Sequence, residues 1–179
     1  NSASSPLFLS RNSDYVIPVF KSCFIRPGTS CAGDKLGEAN LSGANLSDMD
    51  FTGANLQRAR LVGATLNNTN FTDAFLKGAV FSGATGANTQ LGARSLADAN
   101  FSRVRLENPK ATGTSFLRSN WTKAYVEKGD FSSSNFYKSN FEGASIKNTD
   151  MRATKLRGTS WKGATVSGSD FRGAVGNTP

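Results

Sequence analysis

The chain of 179 residues contains no histidine, only two cysteines and no run of 18 apolar residues. The absence of histidine excludes catalytic triads and imidazole-based acid–base chemistry. Two cysteines without a histidine argue against a zinc site. The lack of a long apolar run predicts that no helix spans a membrane, and no glycine-rich phosphate loop is visible. We therefore expect a protein that is not an enzyme and that needs no cofactor or metal.

The dominant feature that is present is a strict period of five. Every fifth residue from Leu36 to Phe171 is a centre of this repeat, and 26 of the 28 centres carry a large apolar side chain. Only Gly86 and Ala111 interrupt the series. A period of five fits neither a helix, with its period of 3.6, nor a strand, with its period of 2. The pattern instead predicts a solenoid, in which each unit packs only on its neighbours.

The residues around each centre also repeat. A small residue lies two positions before most centres, and glycine, which suits tight corners, lies two positions after many of them. The segments Ala39-Asn40-Leu41 and Gly53-Ala54-Asn55-Leu56 resemble the Ala-(Asp/Asn)-Leu-x-x motif of the pentapeptide-repeat family. The resemblance covers roughly residues 34 to 175. It implies an all-β fold, a right-handed quadrilateral β-helix in which four pentapeptides form one coil.

The spacing of the large side chains supports a four-sided coil independently. Residues 20 apart should stack, and one such ladder is rich in aromatics: Leu41, Leu61, Phe81, Phe101, Trp121, Phe141 and Trp161. About seven coils are expected, with a length of roughly 30–35 Å at about 4.8 Å per coil. An outer ladder of Asn68, Asn88, Asn108 and Asn148, interrupted by Lys128, should form hydrogen bonds along the axis. We expect a bulge, a bent corner or a looser coil between residues 86 and 111, where Arg94, Val104 and Pro109 occupy small-residue positions.

Three segments follow from the limits of the repeat: an N-terminal extension or cap over residues 1–33, the β-helix over residues 34–175 and a tail over residues 176–179. The apolar stretches at residues 7–9 and 15–20 should cover the open edge of the first coil, as repeat proteins require. A docking arm for a partner is the alternative. The chain does not begin with methionine, which suggests a processed or truncated N-terminus.

Both cysteines lie in the predicted cap. Cys23 and Cys31 are eight residues apart beside Pro27-Gly28, so a turn would bring them within bonding distance. We expect a disulfide that staples the cap and indicates an oxidising compartment. The alternative is a pair of ordinary small apolar residues in a reducing compartment.

The net charge of +8 is uneven along the chain and around the predicted coil. In the four-sided register, one side gathers on its outer surface Arg58, Lys77, Leu117, Arg118, Tyr137, Lys138 and Arg157, and we call this side the basic face. Exposed apolar side chains among cations predict a partner-binding surface, with an ordinary solvated face as the alternative. A second basic strip is expected near the C-terminal end, with Lys147, Arg152, Lys162 and Arg172.

Acidic residues suggest one enzymatic hypothesis. Asp130, Asp150 and Asp170 are 20 residues apart and would stack into an acidic groove of the kind that some β-helix enzymes use. The favoured interpretation is structural, because aspartate is a normal residue at this position before a corner.

The function that fits these features is a non-catalytic scaffold or accessory subunit that docks to a protein partner or a larger assembly. The family resemblance implies the thylakoid lumen and a photosynthetic assembly as a setting, and the cysteines favour this or another exported, oxidising compartment over the cytoplasm. The alternative is a nucleic-acid-binding or topoisomerase-interacting protein. Family members of the latter kind resemble DNA in shape and negative charge, which a net charge of +8 opposes. A homodimer through the C-terminal coil would cover its backbone edge.

Overall fold

The computed structural model describes Leu7–Leu9, Ile17–Val19 and residues 23–179. No helix occurs among these residues, and the strands are short. They are β1 (Leu7–Leu9), β2 (Ile17–Val19), β3 (Thr85–Ala87), β4 (Arg105–Glu107), β5 (Tyr125–Glu127), β6 (Ser145–Lys147), β7 (Lys155–Leu156), β8 (Thr165–Ser167) and β9 (Val175–Gly176). Strands β1 and β2 pair antiparallel, and all other strand pairs are parallel. The remaining residues of the predicted cap lie outside the described residues.

Parallel pairing at an interval of 20 residues defines the architecture. One sheet has the order β3-β4-β5-β6-β8, and β7 pairs with β9. Isolated bridges continue the same interval from Ser30↔Asp50 to Asp150↔Asp170. The predicted right-handed quadrilateral β-helix is therefore confirmed. The continuous sheet has five strands, fewer than the seven or so coils expected, because the earlier coils of the same side pair through single residues, as in Asn45↔Thr65 and Thr65↔Thr85.

Each corner is a tight turn that explains the sequence pattern around it. The amide of Ala54, for example, donates to the carbonyl of Phe51 at 3.0 Å. The residue two positions after the centre has a positive φ at every corner from Gly28 to Gly173 except at Ala93, and sixteen of these residues are not glycine. A left-handed residue at this position is what a type II turn requires. The asparagine or aspartate before a centre accepts a hydrogen bond from the amide two residues later, as Asp50 does from Thr52 at 2.9 Å.

The large centres point inward and stack in register. The Trp121 indole is fully buried between Phe101 and Phe141, with ring centroids 4.2 Å and 5.7 Å away and nearly parallel planes. The predicted outer ladder forms over its first three members, since Asn88 Nδ2 donates to Asn68 Oδ1 at 3.3 Å and Asn108 Nδ2 donates to Asn88 Oδ1 at 2.6 Å. Stacking at one-coil intervals therefore organises both the core and part of the surface.

The expected irregularity between residues 86 and 111 is concentrated at one corner. The amide of Ala93 donates to the carbonyl of Leu91 at 2.7 Å, whereas the regular hydrogen-bonded corners use the amide one residue later, as Ala54 does with Phe51. Ala93 is buried, so Arg94 lies outside the core. The coil remains regular at Gly86, where an added Cβ would lie only 2.5 Å from Thr89 Oγ1 and 3.0 Å from Leu66 Cβ. The small centre is thus filled by its neighbours.

Candidate functional site: the basic face

The side chains of the basic face lie together on one side of the coil. Arg58, Lys77, Arg118, Lys138 and Arg157 are exposed, whereas Leu117 and Tyr137 are half-buried. Backbone hydrogen bonds join them between coils: the amide of Arg118 donates to Tyr137 at 2.8 Å, and the amide of Lys138 donates to Arg157 at 2.9 Å. The positions one and two residues after a centre hold them outward, so their spacing is set by the coil repeat.

Two of these cations are paired and three are not. Arg118 donates from Nε and Nη2 to the two carboxylate oxygens of Asp98, at 2.7 Å and 2.9 Å, and Arg58 Nη1 lies 3.5 Å from Glu38 Oε1. The hydrogen bond from Arg118 holds the pKa of the Asp98 carboxyl below its usual value. Within residues 23–179, the ion pairs formed do not include Lys77, Lys138 or Arg157. These three ammonium and guanidinium groups are free to meet an anionic partner.

The same side carries apolar residues that the sequence analysis did not single out. Phe75 is 38% exposed and Val175 is 66% exposed. Phe75 precedes a centre, at a position that most coils fill with a polar residue. An apolar residue at this outward-facing position is the feature of the sequence that indicates its exposure. Together with Leu117 and Tyr137 they give the basic face an apolar component.

The charge is distributed unequally among the four sides. The basic face, including Arg94 and the equivalent position Asp34, carries eight basic and three acidic residues: Lys35, Arg58, Lys77, Arg94, Arg118, Lys138, Lys155 and Arg157 against Asp34, Glu38 and Asp98. The side that carries the predicted aspartate ladder, which we call the aspartate face, has three basic and five acidic residues: Lys110, Arg152 and Arg172 against Asp50, Asp73, Asp130, Asp150 and Asp170. The basic face therefore has a net charge of +5 and the aspartate face one of −2, so the positive charge is distributed unequally around the rod.

The aspartate ladder forms, and its carboxylates are engaged by neighbouring side chains. Arg152 Nη2 lies 2.6 Å from Asp150 Oδ2, and Arg172 Nη2 lies 2.6 Å from Asp170 Oδ2. The hydrogen bond from Arg172 lowers the pKa of Asp170 to about 2. Carboxylates held in the ionised form by arginine are poor proton donors near neutral pH. This geometry supports the structural interpretation over an acidic catalytic groove.

The predicted second basic strip is wrong. Lys147 lies in β6 on the side of the five-stranded sheet, which we call the sheet face. Arg152 and Arg172 lie on the aspartate face, bonded to its carboxylates. Lys162 lies on a third side, where its carbonyl accepts a hydrogen bond from the amide of Gly143 at 2.9 Å. The four residues are close in sequence, but the 20-residue register distributes them over three sides.

The sheet face carries its own cluster of side chains. A depression of about 320 Å³ there is bordered by Tyr125, whose hydroxyl donates to Glu127 Oε2 at 2.7 Å. The Arg105 guanidinium lies 4.7 Å from the Tyr125 ring centroid, and Lys147 Nζ lies 5.4 Å from it on this side. The hydrogen bond to Glu127 raises the pKa of the Tyr125 hydroxyl. Both the ring and the hydroxyl of Tyr125 have partners within the protein. Substitutions in this cluster therefore serve as matched controls for substitutions on the basic face.

The two cysteines form the predicted disulfide. Cys23 and Cys31 are bonded with their Cα atoms 5.4 Å apart, and both are buried. The amide of Cys31 donates to the carbonyl of Asp50 at 2.7 Å, so the disulfide is attached to the first coil. Asp34 lies near both sulfurs. A disulfide lacks the thiolates that bind a metal, so this group is not a metal site.

Comparison with known proteins places the chain in a family. The model of pentapeptide repeats matches eight copies, over residues 35–68, 66–92, 99–136 and 122–152. A search of curated proteins found none that matches. Among the described residues there is no helix of the length and apolarity needed to cross a bilayer.

Solved structures share the solenoid architecture at low identity. HetL of Nostoc sp. strain PCC 7120, a pentapeptide repeat protein involved in heterocyst differentiation regulation, is 23% identical over 82% of this chain and 76% of its own, with a TM-score of 0.34. QnrB1, a plasmid-mediated fluoroquinolone resistance protein, is 20% identical over 83% and 70%, with a TM-score of 0.45. A protein from the Arabidopsis thaliana thylakoid lumen is 22% identical over 67% and 69%, with a TM-score of 0.30. On the strength of the repeat match, this chain belongs to the pentapeptide-repeat family.

Proposed function

We propose that the protein is a non-catalytic docking module that binds a protein partner, or a larger assembly, through the basic face. The observation that carries this proposal is the unequal distribution of charge: eight basic residues against three acidic ones on a side that also exposes Phe75 and Val175. Cations surrounding exposed apolar groups are typical of protein-interaction surfaces.

The architecture also favours binding. The backbone of the basic face is hydrogen-bonded between successive coils, as from Arg58 to Lys77 at 2.9 Å, so the side chains are held in fixed rows. A partner that meets such a surface orders fewer protein groups on binding, which favours affinity. A solenoid is suited to this role because it presents a long surface without a separate scaffold.

The disulfide supports an oxidising compartment as the site of action. Disulfides such as that between Cys23 and Cys31 persist in exported proteins and are rare in the cytosol. The narrower proposal of the thylakoid lumen, and of an accessory role in a photosynthetic assembly, depends on the family resemblance alone.

The alternative of a nucleic-acid or topoisomerase partner is less well supported. A protein that imitates DNA needs a polyanionic surface, and a chain of net charge +8 does not meet this requirement. Direct binding to DNA through the basic face would remain compatible with the charge, so it is one outcome that the experiment below must detect.

The test is affinity capture from the native source with mass spectrometry, using wild-type protein and the double variant Arg118→Glu/Tyr137→Ala. The matched control is Arg105→Glu/Tyr125→Ala, which changes the same residue types on the sheet face. We expect recovery of the partner to fall at least tenfold for the first variant and to stay within twofold for the control. Circular dichroism verifies that both variants are folded.

Two results would contradict the proposal. Equal recovery by wild type and the Arg118/Tyr137 variant would show that another surface binds. A nucleic acid as the captured species, released by added salt, would support the alternative. The separate expectation of a homodimer through the C-terminal coil is tested by sedimentation of the purified protein, in which a monomer at all concentrations would contradict it.

A further inference from the structure

The irregular corner at residues 91–95 alters the basic face. The bridges of this side run Lys35↔Asn55, Asn55↔Phe75 and Phe75↔Ser95, and they resume at Ser115↔Asn135. Among residues 23–179, this is the one side whose parallel ladder is interrupted, because no bridge joins Ser95 to Ser115. The other three sides pair without a gap at 20-residue intervals.

The cause of the interruption is a change in which residue points inward. At the corner, Ala93 occupies the buried position and lacks the positive φ found at the equivalent position of the other corners. The amide of Arg94 bonds to the carbonyl of Ala74 at 3.0 Å, one residue earlier than the pattern elsewhere. As a result, Arg94 is an exposed residue at a position that is buried in most coils.

The exposed guanidinium stacks on an exposed ring. Arg94 Cζ lies 5.2 Å from the centroid of Phe75, and Phe75 is 38% exposed. A second pair of the same kind lies on this side, since Lys138 Nζ is 5.3 Å from the Tyr137 ring centroid. Phe75 and Tyr137 are about three coils apart along the axis, and Arg94 and Lys138 are about two coils apart, which is roughly 10–15 Å at about 4.8 Å per coil. In the described part of the chain, neither Arg94 nor Lys138 is in an ion pair.

We propose that Phe75 and Arg94 form an anchor point of the docking surface, and that the ligand is an extended acidic segment of a protein that also carries apolar side chains. This inference rests on the proposed function and specifies the chemistry of the partner. The carboxylates of the segment bind Arg94 and Lys138, whose N–H donors are free, and its apolar side chains contact Phe75 and Leu117. An extended chain rises about 3.3 Å per residue, so about three to five residues reach from one aromatic–cation pair to the other.

An acidic protein segment accounts for more of this surface than a polyphosphate or a lipid headgroup does. Phosphate recognition requires the cations alone, whereas here each of two cations is placed over an aromatic ring. The pair Arg118–Asp98 lies between the two anchor points, so the centre of the surface contains a carboxylate that would repel a continuous row of phosphates. A peptide offers alternating acidic and apolar side chains that match this arrangement.

The probe is a fluorescein-labelled octapeptide in which four glutamates alternate with phenylalanine and leucine, measured by fluorescence anisotropy with the full chain at 150 mM salt. The variant is Phe75→Ser/Arg94→Gln, and the matched control on the sheet face is Tyr125→Ser/Arg105→Gln. We expect the anchor variant to weaken binding about tenfold and the control to change it less than twofold. Both sites are on the surface, and circular dichroism verifies folding.

Competing probes define the outcomes that overturn the inference. These are a 20-base-pair DNA duplex, vesicles with 30% phosphatidylglycerol, and the octapeptide with glutamine in place of glutamate. Tighter binding of the duplex or the vesicles than of the acidic peptide, equal binding of the glutamine peptide, or no binding of any peptide overturns the inference. An unchanged affinity in the Phe75/Arg94 variant also overturns it. If the Arg118/Tyr137 variant still loses the native partner in that case, the proposed function stands without this anchor point.

Discussion

The two halves of the core fill the same backbone in different ways. Before the irregular corner, the small inward positions are mostly alanine, and the ladder of Trp121 begins with Leu41 and Leu61. After the corner, the small positions are often serine or threonine, and the ladder is aromatic. The buried Ser134 and Ser139 hydroxyls donate to the carbonyls of Ala111 and Phe116, at 2.7 Å and 2.8 Å.

The small inward positions accept both apolar and hydroxyl side chains, on the condition that each hydroxyl is hydrogen-bonded. In residues 23–179 every buried side-chain nitrogen or oxygen has a hydrogen-bond partner. A buried hydroxyl costs little when it is bonded, and much when it is not. The small position therefore selects for volume, and polarity is accepted where a carbonyl of the neighbouring turn is within reach.

The largest change in stability is expected from replacing Trp121 in the aromatic ladder of the C-terminal half. Trp121→Ala should cost about 3–5 kcal/mol of unfolding free energy, because it leaves a cavity between Phe101 and Phe141. Trp121→Phe keeps a stacked ring and loses only the hydrogen bond from Nε1 to Ser119 Oγ, so it should cost much less, about 1–1.5 kcal/mol plus a smaller cavity term. Urea unfolding measures both. Equal costs for the two variants would show that the aromatic stack does not hold the C-terminal half.

The disulfide allows the stability of the N-terminal coils to be changed without altering the aromatic C-terminal half. Reduction of Cys23–Cys31 should lower the stability by about 2–3 kcal/mol, through the entropy of the unfolded chain. Hydrogen exchange should accelerate at the amides of the first coils, such as Leu36 and Leu41, and remain slow around Trp121, because repeat units respond mainly to their neighbours. Uniform acceleration would contradict this. Thiol labelling of both cysteines without reductant would refute the disulfide itself.

A smaller effect is expected at the corners. Ala153 has φ of 55°, so Ala153→Gly should relieve strain and raise the stability by up to about 1 kcal/mol. Gly53 has φ of 66°, and no neighbouring atom lies within 4 Å of the place that a Cβ would take, so Gly53→Ala in the other half should lower the stability by about 1 kcal/mol through the backbone alone. Thermal unfolding of both variants measures this. Changes of the same sign would mean that contacts, and not φ, decide these corners.

The smallest effect concerns acid sensitivity in the last coils. The folded-state pKa of Asp170 is lowered from 3.8 to about 2, so its contribution to stability is present above pH 3.8 and is lost as the pH falls towards 2. Asp170→Asn should flatten the fall in melting temperature over this window and leave the value at pH 7 only slightly lower. Asp50→Asn is the comparison in the first half, where the carboxylate accepts from Thr52 and not from an arginine. If the melting temperature of Asp170→Asn falls between pH 3.8 and 2 as steeply as that of the wild type, the proposed contribution of Asp170 to acid sensitivity is contradicted.

Much of the fold followed from the sequence, because each pentapeptide repeats the same local requirements. The inward stacking of Trp121, the Asn68–Asn88 ladder and the disulfide were all predicted from spacing and are confirmed. The basic strip through Lys147 and Lys162 was wrong, because nearness in sequence was used there in place of the 20-residue register. The role of the basic face as a binding surface stays a prediction.

Phe75 and Arg94 show where the sequence argument ended. The sequence indicates that Arg94 does not suit a small inward position. It does not predict that the guanidinium lies over the Phe75 ring. That location depends on whether the neighbouring Ala93 can occupy the buried space above Ala74, which is decided by contacts between coils. The repeat pattern predicts the structure of a corner whose inward position holds a small residue. Where that position holds a large or charged residue, the pattern is compatible with several structures.

The four-sided coil, the inward residues outside the corner of Ala93 and the interval at which side chains stack all follow from the sequence, since each unit satisfies the period locally. Which cations are neutralised, which remain free, and where the ladder of the basic face is interrupted cannot be read from the period and depend on how the coils pack. Those outcomes depend on distances between side chains 20 residues apart, and such distances are set by the packing of one coil on the next.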